Sequence, residues 1–132
     1  MYKILMISLC SLLIFGCTTK NKQSEFDYQT SDQGLINLLV QQGSNPAKIH
    51  YISFFIDCKS QQVVTDISQK GVLLGFEDDY INFSDKDQLW STSLNMSMPL
   101  TLNEVTTYRN KLMPIIPAGA CKHVGWGSAV VK

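Results

Sequence analysis

Neither sign of charge dominates this chain. Its 11 basic and 11 acidic side chains give a formal net charge of +0 at pH 7, which leaves no electrostatic footprint for nucleic acid or for an anionic lipid surface. Long apolar runs are missing too. The longest, Ile4 to Phe15, is broken by Ser8, Cys10 and Ser11 and is too short to span a bilayer. There is no Gly-x-Ser-x-Gly, no His-Glu-x-x-His and no phosphate loop, and His50 and His123 are the only histidines, so catalysis has little to rest on. His50 lies between Ile49 and Tyr51 in a strand-like segment, which suits a hydrogen-bonded structural imidazole better than a general base. No internal repeat and no low-complexity tract is present.

What the chain does carry is an address. Lys3 precedes the apolar run, which closes on Ile14-Phe15-Gly16-Cys17, the pattern of a secretory h-region. Gly16-Cys17 resembles the lipobox of bacterial lipoproteins, in which a small residue admits signal peptidase and the following Cys thiol carries a diacylglycerol; Phe15 is bulkier than that family's usual residue. The resemblance implies a signal peptide over 1–16 and lipidation of Cys17. An uncleaved amphiphilic anchor is the competing reading. Loss of Lys3 would leave the mature chain at a formal −1, held at the membrane by acyl chains worth about 0.8 kcal/mol per buried methylene. Thr18, in place of Asp after the lipidated Cys, implies sorting to the outer membrane of a Gram-negative host, facing the periplasm.

Residues 17–31 are polar and without period, with Phe26 and Tyr28 their only large apolar groups, and read as a flexible tether. The remainder, 32–132, is enough for one domain with one core. Ser31 or Asp32 is the expected cap of a helix whose apolar face is Leu35, Ile36, Leu38, Leu39 and Val40, stopped by Gly43. Residues 49–58 are aromatic and β-branched on both parities, as in a strand buried on both faces. A helix over 59–70 capped by Gly71 follows, then strands around 74–83 and 88–98 joined by a turn at Asp85-Lys86-Asp87. Thr101-Leu102-Asn103-Glu104 is a capping box opening a helix with Val105, Tyr108 and Leu112 on one face, and Pro114 and Pro117 end or kink it. A last strand is expected over 121–131. After the first helix the order is βαββαβ, so the expected fold is α+β: a ferredoxin-like antiparallel sheet with an extra N-terminal helix.

Three short motifs carry a family resemblance. Leu38-Leu39-Val40-Gln41-Gln42-Gly43-Ser44-Asn45-Pro46 looks like the opening of the regulator of ribonuclease E activity B (RraB) family. Gly71 through Gly75-Phe76 matches that family's second helix turning into a strand, and Gly125-Trp126-Gly127-Ser128 looks like its closing Asp-Gly-Trp-Gly-Thr signature. The resemblance spans roughly residues 32 to 131. It implies a ferredoxin-like fold and a non-catalytic, protein-binding regulator that, in the cytoplasm, engages the scaffold region of ribonuclease E. The chain departs from the pattern at Val124, where the family has Asp; at Gln41-Gln42, where acids are expected; and in lacking the family's acidic tail.

Two constellations remain. Gly125 and Gly127 flank Trp126 in a strand, which marks a bulge or a close backbone approach; Trp126 is either a core side chain or an exposed anchor for a partner protein. Cys58 and Cys121 fall at the end of strand one and the start of strand four, adjacent in the 4-1-3-2 order of this fold, and a disulfide there would contribute about 2–4 kcal/mol. Unpaired thiols, or a metal site adding His123 and Asp57, are the alternatives; the second closely spaced ligand pair of structural zinc sites is missing. Glu77-Asp78-Asp79 with Asp85 and Asp87 lacks the ligand period of a calcium loop, and Met96 and Met98 suit core filling. The expectation is a lipid-anchored, non-enzymatic interaction module of the bacterial envelope with no metal or cofactor and an unknown protein partner. The alternatives are a ribonuclease E regulator and a small periplasmic metal-binding protein or enzyme.

Overall fold

The computed structural model describes residues 25–132. The expected signal peptide, Cys17 and the first part of the tether lie outside the described residues. The elements are α1 (Tyr28–Gln41), β1 (Ile49–Cys58), α2 (Gln61–Leu73), β2 (Glu77–Ser84), β3 (Leu89–Pro99), α3 (Leu102–Leu112), a 3-10 turn (Met113–Ile115) and β4 (Gly125–Gly127). The strands form one sheet in the order β2-β3-β1-β4, with every pairing antiparallel. This is the expected α+β, ferredoxin-like arrangement behind an extra N-terminal helix.

Helix boundaries follow from hydrogen-bonding side chains. Asp27, not Ser31 or Asp32, caps α1, accepting from the Thr30 amide at 3.0 Å and its hydroxyl at 2.7 Å, so residues 28–31, read as tether, are helical. Ser60 caps α2, accepting from the Val63 amide. Gly71 does not end that helix. It lies inside it, because a Cβ there would stand 2.5 Å from Leu94 Cδ1 of β3, and the chain turns instead at Gly75, whose φ of 97° favours glycine. Thr101 caps α3 through the Glu104 amide, but the capping box is only half formed, since the Thr101 amide donates to the Pro99 carbonyl.

Helices α1, α2 and α3 cover one face of the sheet. Ile52, Phe54 and Ile56 of β1 pack with Ile36 and Leu39 of α1, Val64 and Ile67 of α2, and Val105 and Leu112 of α3. Burial alternates strictly along β1, so its second parity, Ile49, Tyr51, Ser53, Phe55 and Asp57, is not buried as the composition suggested. Among the described residues no helix covers that face. The last strand is also shorter than expected. Cys121 pairs with Cys58 only as an isolated bridge, the Val124 amide turns aside to the Tyr28 phenol oxygen, and beyond Gly127 the chain is fastened to Ser44 and Asn45.

Candidate functional site

The short strand β4 separates two environments, because its residues alternate between the sheet faces. Trp126 faces inward. It is 7 % exposed, and its indole Nε1 donates to Asp32 Oδ1 at 3.0 Å. Arg109 forks onto the same carboxylate, Nη2 to Oδ1 at 2.7 Å and Nη1 to Oδ2, and the Tyr28 ring lies 4.2 Å from its guanidinium carbon. One carboxylate thus ties α1, α3 and β4 together. An exposed Trp126 anchor is therefore not what the fold presents; the indole holds the strand in place.

The outer face collects the other parity. Register puts Gly127 beside Ser53 and Gly125 beside Phe55, while Ser97, Asn95, Ser93 and Ser91 of β3 oppose Tyr51, Ser53, Phe55 and Asp57. Neither glycine has a positive φ. A Cβ on Gly127 would meet the Phe55 ring at 3.4 Å, whereas one on Gly125 would meet nothing within 4 Å. The pair thus leaves a strip of bare backbone next to an exposed aromatic ring. Tyr51 donates its phenol proton to Glu77 Oε2 at 2.6 Å, and this bond, with burial and the Glu77 charge, lifts the phenol above its ordinary 10.0. Burial, then Asp57 and Asp79, raises Tyr80 as well.

The acidic run does not act as a unit. Glu77 lies on the open face, whereas Asp78 accepts from Ser68 of α2 at 3.0 Å, and a bulge between Asp78 and Ile81 interrupts the β2–β3 register. Nor do Cys121, His123 and Asp57 assemble as ligands. Cys121 is bonded to Cys58, His123 stacks on Phe26 with ring centroids 3.9 Å apart, and Asp57 accepts from Ser91; among the described residues no group of three His, Cys, Asp or Glu side chains could hold a metal ion.

His50 is buried and fully bonded. A carbonyl only accepts, so Nδ1 donates to Lys48 O at 2.8 Å, and in the neutral ring Nε2 accepts from the Ser44 hydroxyl at 3.0 Å. Ser44 Oγ accepts in turn from the Val131 amide at 3.0 Å, which makes the Ser–His pair a clasp for the end of the chain.

Sequence reasoning missed Asp32, Arg109 and Tyr28. A signal was there: Asp32, Ile36 and Leu39, and likewise Val105, Arg109 and Leu112, are the buried stripes of α1 and α3 at i, i+4, i+7, so an acid and a base each interrupt an apolar face.

A family model described as Regulator of ribonuclease activity B, RraB, matches residues 29–128. The chain belongs to the RraB family. No curated protein matches it. The match runs from the first turn of α1 to the residue after β4, so the RraB domain here takes in every helix and strand among the described residues, the Asp32–Arg109–Trp126 tie and the open face alike. The family takes its name from regulating an enzyme.

Proposed function

We propose that this RraB domain is a non-enzymatic regulatory module that works by binding another protein, anchored to the bacterial envelope by lipid on Cys17. The observation that carries the binding half is the sheet face that no described helix covers, where Tyr51 and Phe55 stand exposed beside the side-chain-free strip of Gly125 and Gly127. Family membership supports a regulatory role. The anchoring half rests on Gly16-Cys17 behind its apolar run and on the Cys58–Cys121 bridge, which suits an oxidising compartment.

Intact mass of the chain extracted from bacterial membranes, before and after reduction, tests the anchoring. A species beginning at Cys17 with added lipid, gaining two hydrogens on reduction, is expected. An unlipidated full-length chain with free thiols instead favours the second reading, a cytoplasmic regulator of ribonuclease E, which lengthened RNA half-lives on overexpression would reveal; the family description speaks for regulation of a ribonuclease. Binding itself is tested by site-directed photocrosslinking from position 55 in cells. Crosslinks to a discrete protein are expected, and their absence counts against a binding module.

A further inference from the structure

The face left open by the described residues is chemically lopsided although the chain as a whole is neutral. Glu77 and Asp79 stand exposed at one end of it beside Tyr51, while none of the four strands carries a Lys or Arg. Asp57 is left out of this count, because Ser91 donates to it and Lys122 stands opposite it, its amide bonded to the Asp57 carbonyl at 2.9 Å. A second, independent feature marks the same end. Asn95 lies between Ser53 of β1 and Glu77 of β2, is 4 % exposed, and its Oδ1 receives no hydrogen bond from the described residues. A buried amide oxygen without a donor is costly, and it marks a place where an incoming N–H is worth more than at an ordinary surface.

We infer that this end of the face seats an arginine side chain presented by an extended segment of a partner protein. A guanidinium carries five N–H donors and no acceptor, forks onto a carboxylate and stacks on aromatic rings. Glu77 supplies the carboxylate, Asp79 a second negative charge, Tyr51 the ring, and Asn95 Oδ1 accepts a remaining N–H. Tyr51 now holds Glu77 through its phenol at 2.6 Å; its side chain is exposed, so rotation about its own bonds frees the carboxylate for an incoming guanidinium. At the opposite edge of the sheet, across β3 and β1 from Glu77, the bare backbone of Gly125 and Gly127 leaves room beside Phe55 for neighbouring residues of the same partner segment. Lysine lacks the planar fork and fits less well.

This inference rests on the protein-binding reading, and its experiment fails separately from it. The isotope-labelled full chain in neutral detergent is titrated with a capped peptide of alternating Ser and Arg, and with the same peptide carrying citrulline, the neutral isostere of arginine. Amide shifts centred on Tyr51, Glu77 and Asn95 are expected for the arginine peptide. Affinity is expected to fall about tenfold or more with citrulline and in the E77Q/D79N variant, and to weaken in Asn95→Leu. The hairpin-turn variant D85N/D87N, which changes charge equally, is expected to bind as the parent chain does. Equal affinity for the two peptides, an equal loss in D85N/D87N, or shifts centred on the groove between α1 and α3 overturns the arginine seat. Each of those results leaves a protein-binding module standing, since that reading is decided by crosslinking in cells.

Discussion

Asp32 is the residue on which the interior depends most, because its two oxygens serve the Arg109 guanidinium and the Trp126 indole from a position only 2 % exposed. Removing it strands a buried positive charge and an indole donor together. Asp32→Ala is therefore expected to cost about 3–5 kcal/mol, read from the urea midpoint. The double change Asp32→Leu with Arg109→Met is expected to cost less than Asp32→Ala alone, because no uncompensated charge remains. At Tyr51 the prediction concerns pH. Its hydrogen bond to Glu77 holds the phenol pKa above 10.0 in the fold, so the neutral form is favoured there: the bond contributes fully below the unfolded value and is lost as pH rises through the higher folded one. Tyr51→Phe should flatten that alkaline limb when thermal unfolding is followed across it. The pairing of Asp32 with Arg109 was not legible in advance, although each residue breaks a visible apolar stripe. Apolar periodicity finds the stripes of α1 and α3 but passes over a charge inside each, and the partner of each charge lies 77 residues away. Trp126 was half legible: its strand and flanking glycines stand out, while the direction of its ring depends on a register that only β1 supplies.

Between elements, packing overrules the local rules that read best from sequence. Gly71 looked like a helix terminator, yet it lies within α2 because Leu94 of β3 fills the space its Cβ would occupy. Gly71→Ala gains about 1 kcal/mol of helix propensity but overpacks a fully buried contact at about 1–3 kcal/mol. A net loss of stability is expected, and it should largely disappear in the background Leu94→Ala, where the added methyl fills part of the cavity; a double-mutant cycle by urea denaturation checks this. The start of α1 makes a different point. The Asp27 carboxyl is held below its ordinary 3.8, first by the Thr30 hydroxyl and then by the Thr30 amide. That contribution is present above 3.8 and is lost as pH falls through the lower folded value. Asp27→Asn, which caps without titrating, should remove this acid dependence from the helical circular dichroism. Element order and sheet topology were legible because hydrophobic periodicity and turn residues repeat along the chain. The two-faced burial expected of β1 was not, since aromatic residues on both parities suit a buried strand and an exposed binding face equally well.

For the molecule as a whole, the weak point is the way the sheet is closed. β4 contributes three residues, and what holds the segment around it is side-chain chemistry: the disulfide ahead of it, the indole within it, and the Ser44–His50 clasp after it. The bridge joins cysteines 63 residues apart, so it closes a loop that takes in α2, β2, β3 and α3, and an unfolded chain so constrained has much less entropy to gain. Reduction, or the paired change Cys58→Ser and Cys121→Ser, is expected to lower unfolding stability by about 2–4 kcal/mol. Against the roughly 5–15 kcal/mol that holds a typical domain, that is a large share, and its effect should be local before it is global. Amides of β4 and of the clasped end are expected to exchange faster in the reduced protein while those of β1 and β3 remain protected, as hydrogen exchange followed by mass spectrometry will show. The distinction bears on where the domain works. If the reduced chain keeps β4 in place, the fold is equally serviceable in a reducing cytoplasm and the bridge argues little about location. If β4 and its glycine strip detach on reduction, the open face is complete only where disulfides persist, and the proposed binding surface and the proposed secretory signal become parts of one requirement.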